Sequence, residues 1–253
     1  MQEYVPKTLM ETLTECHFHK NIEFQLSEKA ASNTMKQILS ALDFLKQKQI
    51  AHLDLKPDNL LIGLDGKVRI CDFGLAAIAP VDRDVHTYLF CPPEIITEKK
   101  GYCESDMWAC GVCFFLLLTG YFPFASNKWS ILKSKIVDGI SWKALEEAPM
   151  SRYAKQLIQQ MLIINVADRL TPSIAMEHEF FSNCSDEPLH NIAIKFQNQI
   201  KAKKRWKKLK CTIGMTKRFK DGGKQFRTNL NVKELKEKEY SEKLKEELEW
   251  IGL

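Results

Sequence analysis

Apolar residues recur at helical spacing between Leu26 and Lys48 (Ala30, Met35, Ile38, Leu39, Leu42, Leu45), and Ser27 stands three positions before Ala30 as a start signal. A long helix is predicted there. Leu60-Leu61-Ile62 and Val68-Arg69-Ile70 flank Leu64-Asp65-Gly66, two short apolar runs about a turn, which predicts a β-hairpin. Leu75 to Pro93 shows no clear period. The longest apolar run, Ala109 to Phe124, is broken by Gly120 and Pro123 and falls short of a bilayer span. Asp106 stands three positions before this run, and a carboxylate entering so apolar a helix requires a partner, because an unpaired buried charge is costly. Beyond Cys184 the pattern changes. Lys201 to Lys220 carries ten Lys or Arg and no acid, so with a whole-chain charge of +5 the rest of the chain is net negative. Val232 to Trp250 pairs Glu234 with Lys238, Glu239 with Lys243 and Lys243 with Glu247, the i, i+4 spacing of an exposed helix. Leu235, Leu244 and Leu248 do not sustain heptads, so a solvated single helix is expected rather than a coiled coil.

Composition adds limits. The chain has 253 residues, 45% of them apolar, enough for one good-sized domain and a tail. Its eight cysteines are scattered. Cys71, Cys103, Cys110 and Cys113 lie in or beside apolar segments, where free thiols pack as small hydrophobes, and a reducing, intracellular compartment is expected. Cys110-Gly111-Val112-Cys113 has redox or zinc spacing without a second pair, and reads as helix packing. Cys16-His17-Phe18-His19 likewise lacks a further ligand set. The start, Met1-Gln2-Glu3-Tyr4-Val5-Pro6, is not a signal peptide. A protein of the cytoplasm or nucleus is expected.

The candidate chemistry sits in Ile50 to Ile62, I-A-H-L-D-L-K-P-D-N-L-L-I. Asp54 can accept a proton from a hydroxyl, Lys56 can meet a phosphate oxygen, and Asn59 can offer a carbonyl oxygen to a metal ion, which is a phosphoryl-transfer set. The stretch resembles the catalytic loop of protein kinases, H-R-D-L-K-P-x-N, and Cys71-Asp72-Phe73-Gly74 resembles the D-F-G that follows it. Gln2 to Pro6 resembles the kinase hinge, which implies adenine contacts from the Glu3 carbonyl and the Val5 amide, with Leu61 beneath the ring. Leu75 to Pro93 corresponds to the activation loop. His86-Thr87-Tyr88-Leu89-Phe90-Cys91-Pro92-Pro93-Glu94 resembles G-T-x-x-Y-x-A-P-E, with His86 and Phe90 in place of the Gly and Tyr. Ser105 to Val112 looks like the buried central helix, whose Asp, here Asp106, holds the catalytic-loop backbone. The block ending Asp168-Arg169-Leu170-Thr171 implies that Arg169 pairs with Glu94. The resemblance runs from about residue 1 to Phe181.

It implies a mainly α fold: a protein-kinase-like C-terminal lobe with short β-hairpins over residues 1–182, with the N-terminal β-lobe absent, followed by a helical basic tail over 183–253. ATP and Mg2+ are the implied substrate and cofactor, with Asn59 and Asp72 as metal ligands and Asp54, Lys56 and Asn59 as catalytic groups. Lys56 two positions after the Asp is the serine/threonine pattern, and Thr87 agrees, since in that class it bridges the counterparts of Asp54 and Lys56. Leu53 replaces the Arg that binds a phosphate on the activation loop, so phosphorylation there is not the expected switch. The variant H-L-D-L-K-P is similar to myosin light-chain kinases and to relatives of the death-associated kinases. No G-x-G-x-x-G occurs, nor any V-A-I-K. Two functions follow: a serine/threonine protein kinase, incomplete and weakly active or inactive alone, or a non-catalytic binding module that uses an exposed platform and the basic tail. In the tail Trp206 and Phe219 stand thirteen positions apart with Ile213 between them, amid cations. This resembles the calmodulin-binding tail of myosin light-chain kinases. Gly214 and the β-branched Thr212 and Ile213 oppose a helix there, and a solvated basic stretch or nuclear-import signal is the alternative.

Overall fold

A computed structural model of the protein describes residues 7–11, 27–126, 128–141, 145–148 and 150–186, with the isolated positions Glu242 and Lys245, both helical and exposed. Glu3, Val5, the Cys16 to His19 cluster and the tail anchors Trp206, Ile213 and Phe219 lie outside the described residues, as does the remainder of the Val232 to Trp250 segment.

A short strand β1 (Lys7–Thr8) precedes the first long helix, α1 (Glu28–Gln47). Ser27 caps α1, its side chain accepting from the Ala30 N–H at 3.2 Å. This satisfies one of the donors that every helix start leaves open. Met35, Ile38, Leu39 and Leu42 form the buried face, as the periodicity predicts. Then come β2 (Ile50–Ala51), a 3-10 turn Pro57–Asn59, β3 (Leu60–Ile62) and β4 (Val68–Ile70). The hairpin pairs Leu60 with Ile70, Leu61 with Arg69 and Ile62 with Val68, and Gly66 takes φ +71° in its turn. β1 adds to it by pairing Thr8 with Leu61.

The stretch without sequence period contains two further pairings. β5 (Ala77–Ile78) pairs with β2, and β6 (Val81–Asp82) pairs with β7 (Lys100–Gly101) across the short helix α2 (Pro93–Thr97). The central helix α3 (Cys103–Thr119) is buried from Ser105 to Thr119 and ends at Gly120, whose φ of +70° is the left-handed cap that glycine adopts without strain. Around it stand α4 (Trp129–Asp138), α5 (Arg152–Met161), α6 (Pro172–Met176) and α7 (Phe180–Asn183). α3 packs on α1 and α5, and α1 packs on α6. Trp108 stacks on Phe124 at 5.4 Å and Phe114 meets Phe180 edge-on at 5.0 Å. Each fully buried Leu, Ile, Met or Phe contributes about 1.5–3 kcal/mol, so this apolar centre is the rigid base for the loop above it. Cys110 and Cys113 are buried free thiols on α3, as packing requires. Among the described residues no helix is long and apolar enough to cross a membrane.

Candidate active site

The loop Ile50 to Ile62 is delivered by the end of α1 and pinned from below by α3. Asp106, in the first turn of α3, accepts from the His52 N–H at 2.6 Å and the Leu53 N–H at 2.8 Å, one through each carboxylate oxygen. These bonds hold Leu53 at φ +63°, a conformation that a leucine adopts only when its surroundings impose it. Burial pushes the Asp106 carboxyl up to about 7, while the two backbone donors act in the opposite direction.

Asp54 is where the site converges. Its Oδ1 accepts from Thr87 Oγ1 at 2.5 Å, and its Oδ2 accepts from Lys56 Nζ at 2.8 Å and from Asn59 Nδ2 at 3.1 Å. Asn59 Nδ2 also donates to the Asp54 backbone carbonyl at 2.8 Å. Thr87 does not bridge Asp54 and Lys56 directly among the described residues. Its single hydroxyl proton goes to Oδ1 while the ammonium takes Oδ2, so the carboxylate is the bridge.

Both Asn59 bonds use the amide nitrogen, which leaves the carbonyl oxygen as its acceptor for a cation. Asp72 takes a left-handed conformation (φ 62°, ψ 71°), is exposed, and accepts from the Gly74 N–H through Oδ1 at 3.3 Å. Two protein oxygens with open positions suit Mg2+, which keeps several waters and phosphate oxygens among its ligands. Among the described residues no group of three or more His, Cys, Asp or Glu side chains makes a separate metal cage. Leu61 lies half-buried on β3 beside β1, the described part of the adenine contacts that the resemblance implies.

Glu94 and Arg169 meet below the loop. The guanidinium donates at 2.8 and 2.9 Å to the two carboxylate oxygens, and neither side chain is more than 1% exposed. Arg169 also reaches the carbonyls of Ile163 at 2.9 Å and Glu104 at 2.8 Å, and Ser105 Oγ donates to Glu94 at 2.7 Å. The activation segment is thereby tied to the start of α3.

Some contributing residues carry no site assignment from the sequence. His52 is fully buried and bridges the Cys71 carbonyl (Nε2, 3.0 Å) and the Asp54 N–H (Nδ1, 3.3 Å), with its ring edge-on to Phe73 at 4.8 Å. This pattern assigns the proton to Nε2, and burial, the main cause, lowers its pKa, which agrees with a neutral ring. The signal available was its place two residues before Asp54. Asp58 is also embedded: its Oδ2 is buried with no partner among the described residues, and desolvation raises its carboxyl to about 6.

A mainly helical fold here places an Asp, a Lys and an Asn on one loop and a second Asp on the adjoining turn, residue types suited to phosphoryl transfer. The protein kinase domain family matches residues 1–181, and the chain belongs to that family. It is 36% identical over 176 residues to a probable myosin light chain kinase of Dictyostelium discoideum, an alignment covering 66% of this chain and 45% of that protein. It is 32% identical over 178 residues to the liver/testis phosphorylase b kinase gamma catalytic chain of Bos taurus (66% and 44%). It is 33% identical over 178 residues to CBL-interacting serine/threonine-protein kinase 3 of Arabidopsis thaliana (65% and 38%). The chain spans less than half the length of each of these kinases.

Proposed function

We propose that these residues perform the acceptor side of ATP-dependent phosphoryl transfer to Ser or Thr hydroxyls of proteins. The observation that carries this reading is the Asp54 carboxylate, ordered by Thr87, Lys56 and Asn59 in a single arrangement. In the reaction the substrate hydroxyl oxygen bonds to the γ-phosphorus of ATP, the bond from that phosphorus to the β,γ-bridging oxygen breaks, and Asp54 accepts the hydroxyl proton. Lys56 moves its charge toward the transferring phosphate. Asn59 and Asp72 would hold Mg2+, which would neutralise charge on the phosphates. His52, through Cys71, keeps the two metal-side residues in register. Glu3 and Val5 are proposed for the adenine edge, with Leu61 beneath it.

Catalysis of this kind is positioning and electrostatics, so the far side of the nucleotide matters as much as the near side. These 253 residues contain no Gly-rich loop for that side. The purified chain is therefore expected to bind ATP-Mg2+ weakly and to phosphorylate a generic Ser/Thr protein at background level, with Asp54→Asn making no difference. Joined behind the upper lobe of the Dictyostelium relative, it should transfer phosphate and lose that transfer in Asp54→Asn. A folded chimera that stays inactive would sink the catalytic reading.

A second reading, a binding module acting through the platform around Leu61 and Phe73, is favoured by the exposure of Phe73, 47%, beside the half-buried Leu61. In it the chain acts through that platform and through a calmodulin-type segment anchored by Trp206, Ile213 and Phe219. A peptide spanning residues 198–222 should then bind calcium-loaded calmodulin, with a blue shift of Trp206 fluorescence that EDTA reverses. Binding indifferent to calcium and to Trp206→Ala with Phe219→Ala, yet abolished by salt, would mark a simple polycation.

A further inference from the structure

α1 reaches the site twice. Its C-terminal end delivers the catalytic loop, and a side chain from its middle holds the strand that leads to Asp72. In the sheet order β1-β3-β4, β4 is an edge strand. The Gly63 N–H donates to the Lys67 carbonyl and the Cys71 N–H to the Asn59 carbonyl, both at 2.9 Å, so the backbone groups of Lys67, Arg69 and Cys71 face β3. Backbone direction alternates along a strand, which turns the Val68 N–H to the outer edge. There Gln37 Oε1 accepts from it at 2.9 Å. Water can satisfy a donor at an open edge, but it holds nothing in place. A side chain rooted in α1, which packs on β4 and on the central helix, ties the strand to the apolar centre.

The half-buried Gln37 amide is set by both of its ends. Nε2 donates back along α1 to the Asn33 carbonyl at 3.3 Å, which leaves Oε1 facing Val68; the flipped amide would set an N–H against the Val68 N–H. Three residues beyond Val68 the chain is held again, where His52 Nε2 donates to the Cys71 carbonyl at 3.0 Å. β4 is thus pinned by α1 at its start and by the catalytic loop just past its end, and Asp72 is the next residue. Asn59 on the catalytic loop and Asp72 beyond this strand are the residues proposed for Mg2+, and only their relative placement makes them a pair.

We infer that Gln37 is a positioning residue for Asp72: by taking the Val68 N–H it makes α1 the common reference for the catalytic loop and the metal-side turn. The pin can be measured without any chemistry, while its effect on metal use rests on the kinase reading of the site.

Amide hydrogen exchange on the full chain, followed by NMR without nucleotide, is the test. Gln37→Met keeps side-chain length and helix preference but removes the acceptor. It should speed exchange at Val68, at Cys71 and at Gly74, whose N–H goes to Asp72, by about tenfold, and leave α3 unchanged. Gln37→Ala, which puts no new apolar chain at a half-buried position, should do the same. Gln37→Glu keeps an acceptor oxygen and should exchange as the wild type does, a rescue that general loosening of the fold would not show. Wild-type exchange in Gln37→Met and Gln37→Ala, acceleration confined to Val68, or exchange in Gln37→Glu as fast as in Gln37→Met would overturn the inference. In the chimera with the upper lobe of the Dictyostelium relative, Gln37→Met should raise the Mg2+ concentration for half-maximal rate severalfold and leave the KM for the acceptor peptide unchanged, with Gln37→Glu restoring the Mg2+ requirement. An unchanged Mg2+ requirement in the active Gln37→Met chimera would overturn the role toward Asp72. An inactive chimera, with the exchange effects present in the full chain, would sink the catalytic reading and leave the pin standing.

Discussion

At the scale of single residues, two buried side chains govern the site from below it. Arg169 serves the Glu94 carboxylate and three backbone carbonyls, with its guanidinium 5.3 Å from the Trp108 ring centroid. Removing one member of a buried pair strands the other, which costs about 3–5 kcal/mol. Arg169→Ala is expected to lose that much in denaturant titration. Arg169→Lys should recover little, because a lysine ammonium cannot reproduce the planar fork. Near-wild-type stability of Arg169→Lys would show that charge alone suffices. Asp106 supplies a pH test. Its folded carboxyl lies at about 7 against 3.8 when unperturbed, so the group's contribution is fully present below 3.8 and is lost as pH rises through 7. Asp106→Asn places an amide N–H against a backbone N–H and should destabilise by about 1–3 kcal/mol at the acid end of that window. Its deficit relative to wild type should narrow as pH rises across that window. A deficit that widens instead would mean the two backbone donors outweigh burial.

At the scale of elements, Gly111 sets how closely two helices approach. A Cβ there would lie 2.9 Å from Met161 Cβ and 3.0 Å from Leu162 Cδ2. Alanine favours a helix over glycine by about 1 kcal/mol, while overpacking costs about 1–3 kcal/mol. Because Met161 Cβ is fixed to the α5 backbone, packing should win, and Gly111→Ala is expected to lower the melting temperature. A rise would show that α5 can shift. Elements with local signals were legible in the sequence: α1 through Ser27 and its period, and the β3–β4 hairpin through its turn. The pairs β2 with β5 and β6 with β7 were not, since two-residue strands carry no alternation and form only when distant segments meet. His52 was hidden for the same reason, because its value lies in reaching Cys71 nineteen residues on. Asp54, Lys56, Asn59 and Asp72 could be singled out from motif spacing, but the sharing of the Asp54 carboxylate among Thr87, Lys56 and Asn59 is a tertiary fact.

At the scale of the whole molecule, α1 separates two tasks. Its C-terminal end delivers the catalytic loop, while its N-terminal end holds the last described residues of the domain: the Lys29 N–H donates to the Ser185 carbonyl at 3.0 Å, and Ser27 Oγ donates to Asp186 at 3.3 Å. Twenty helical residues at 1.5 Å each make this helix about 30 Å long. Whatever follows Asp186 therefore leaves from a fixed mooring far from Asp54. A load placed on Ser185 or Asp186 is therefore taken up first at the end of α1 opposite the loop that carries Asp54.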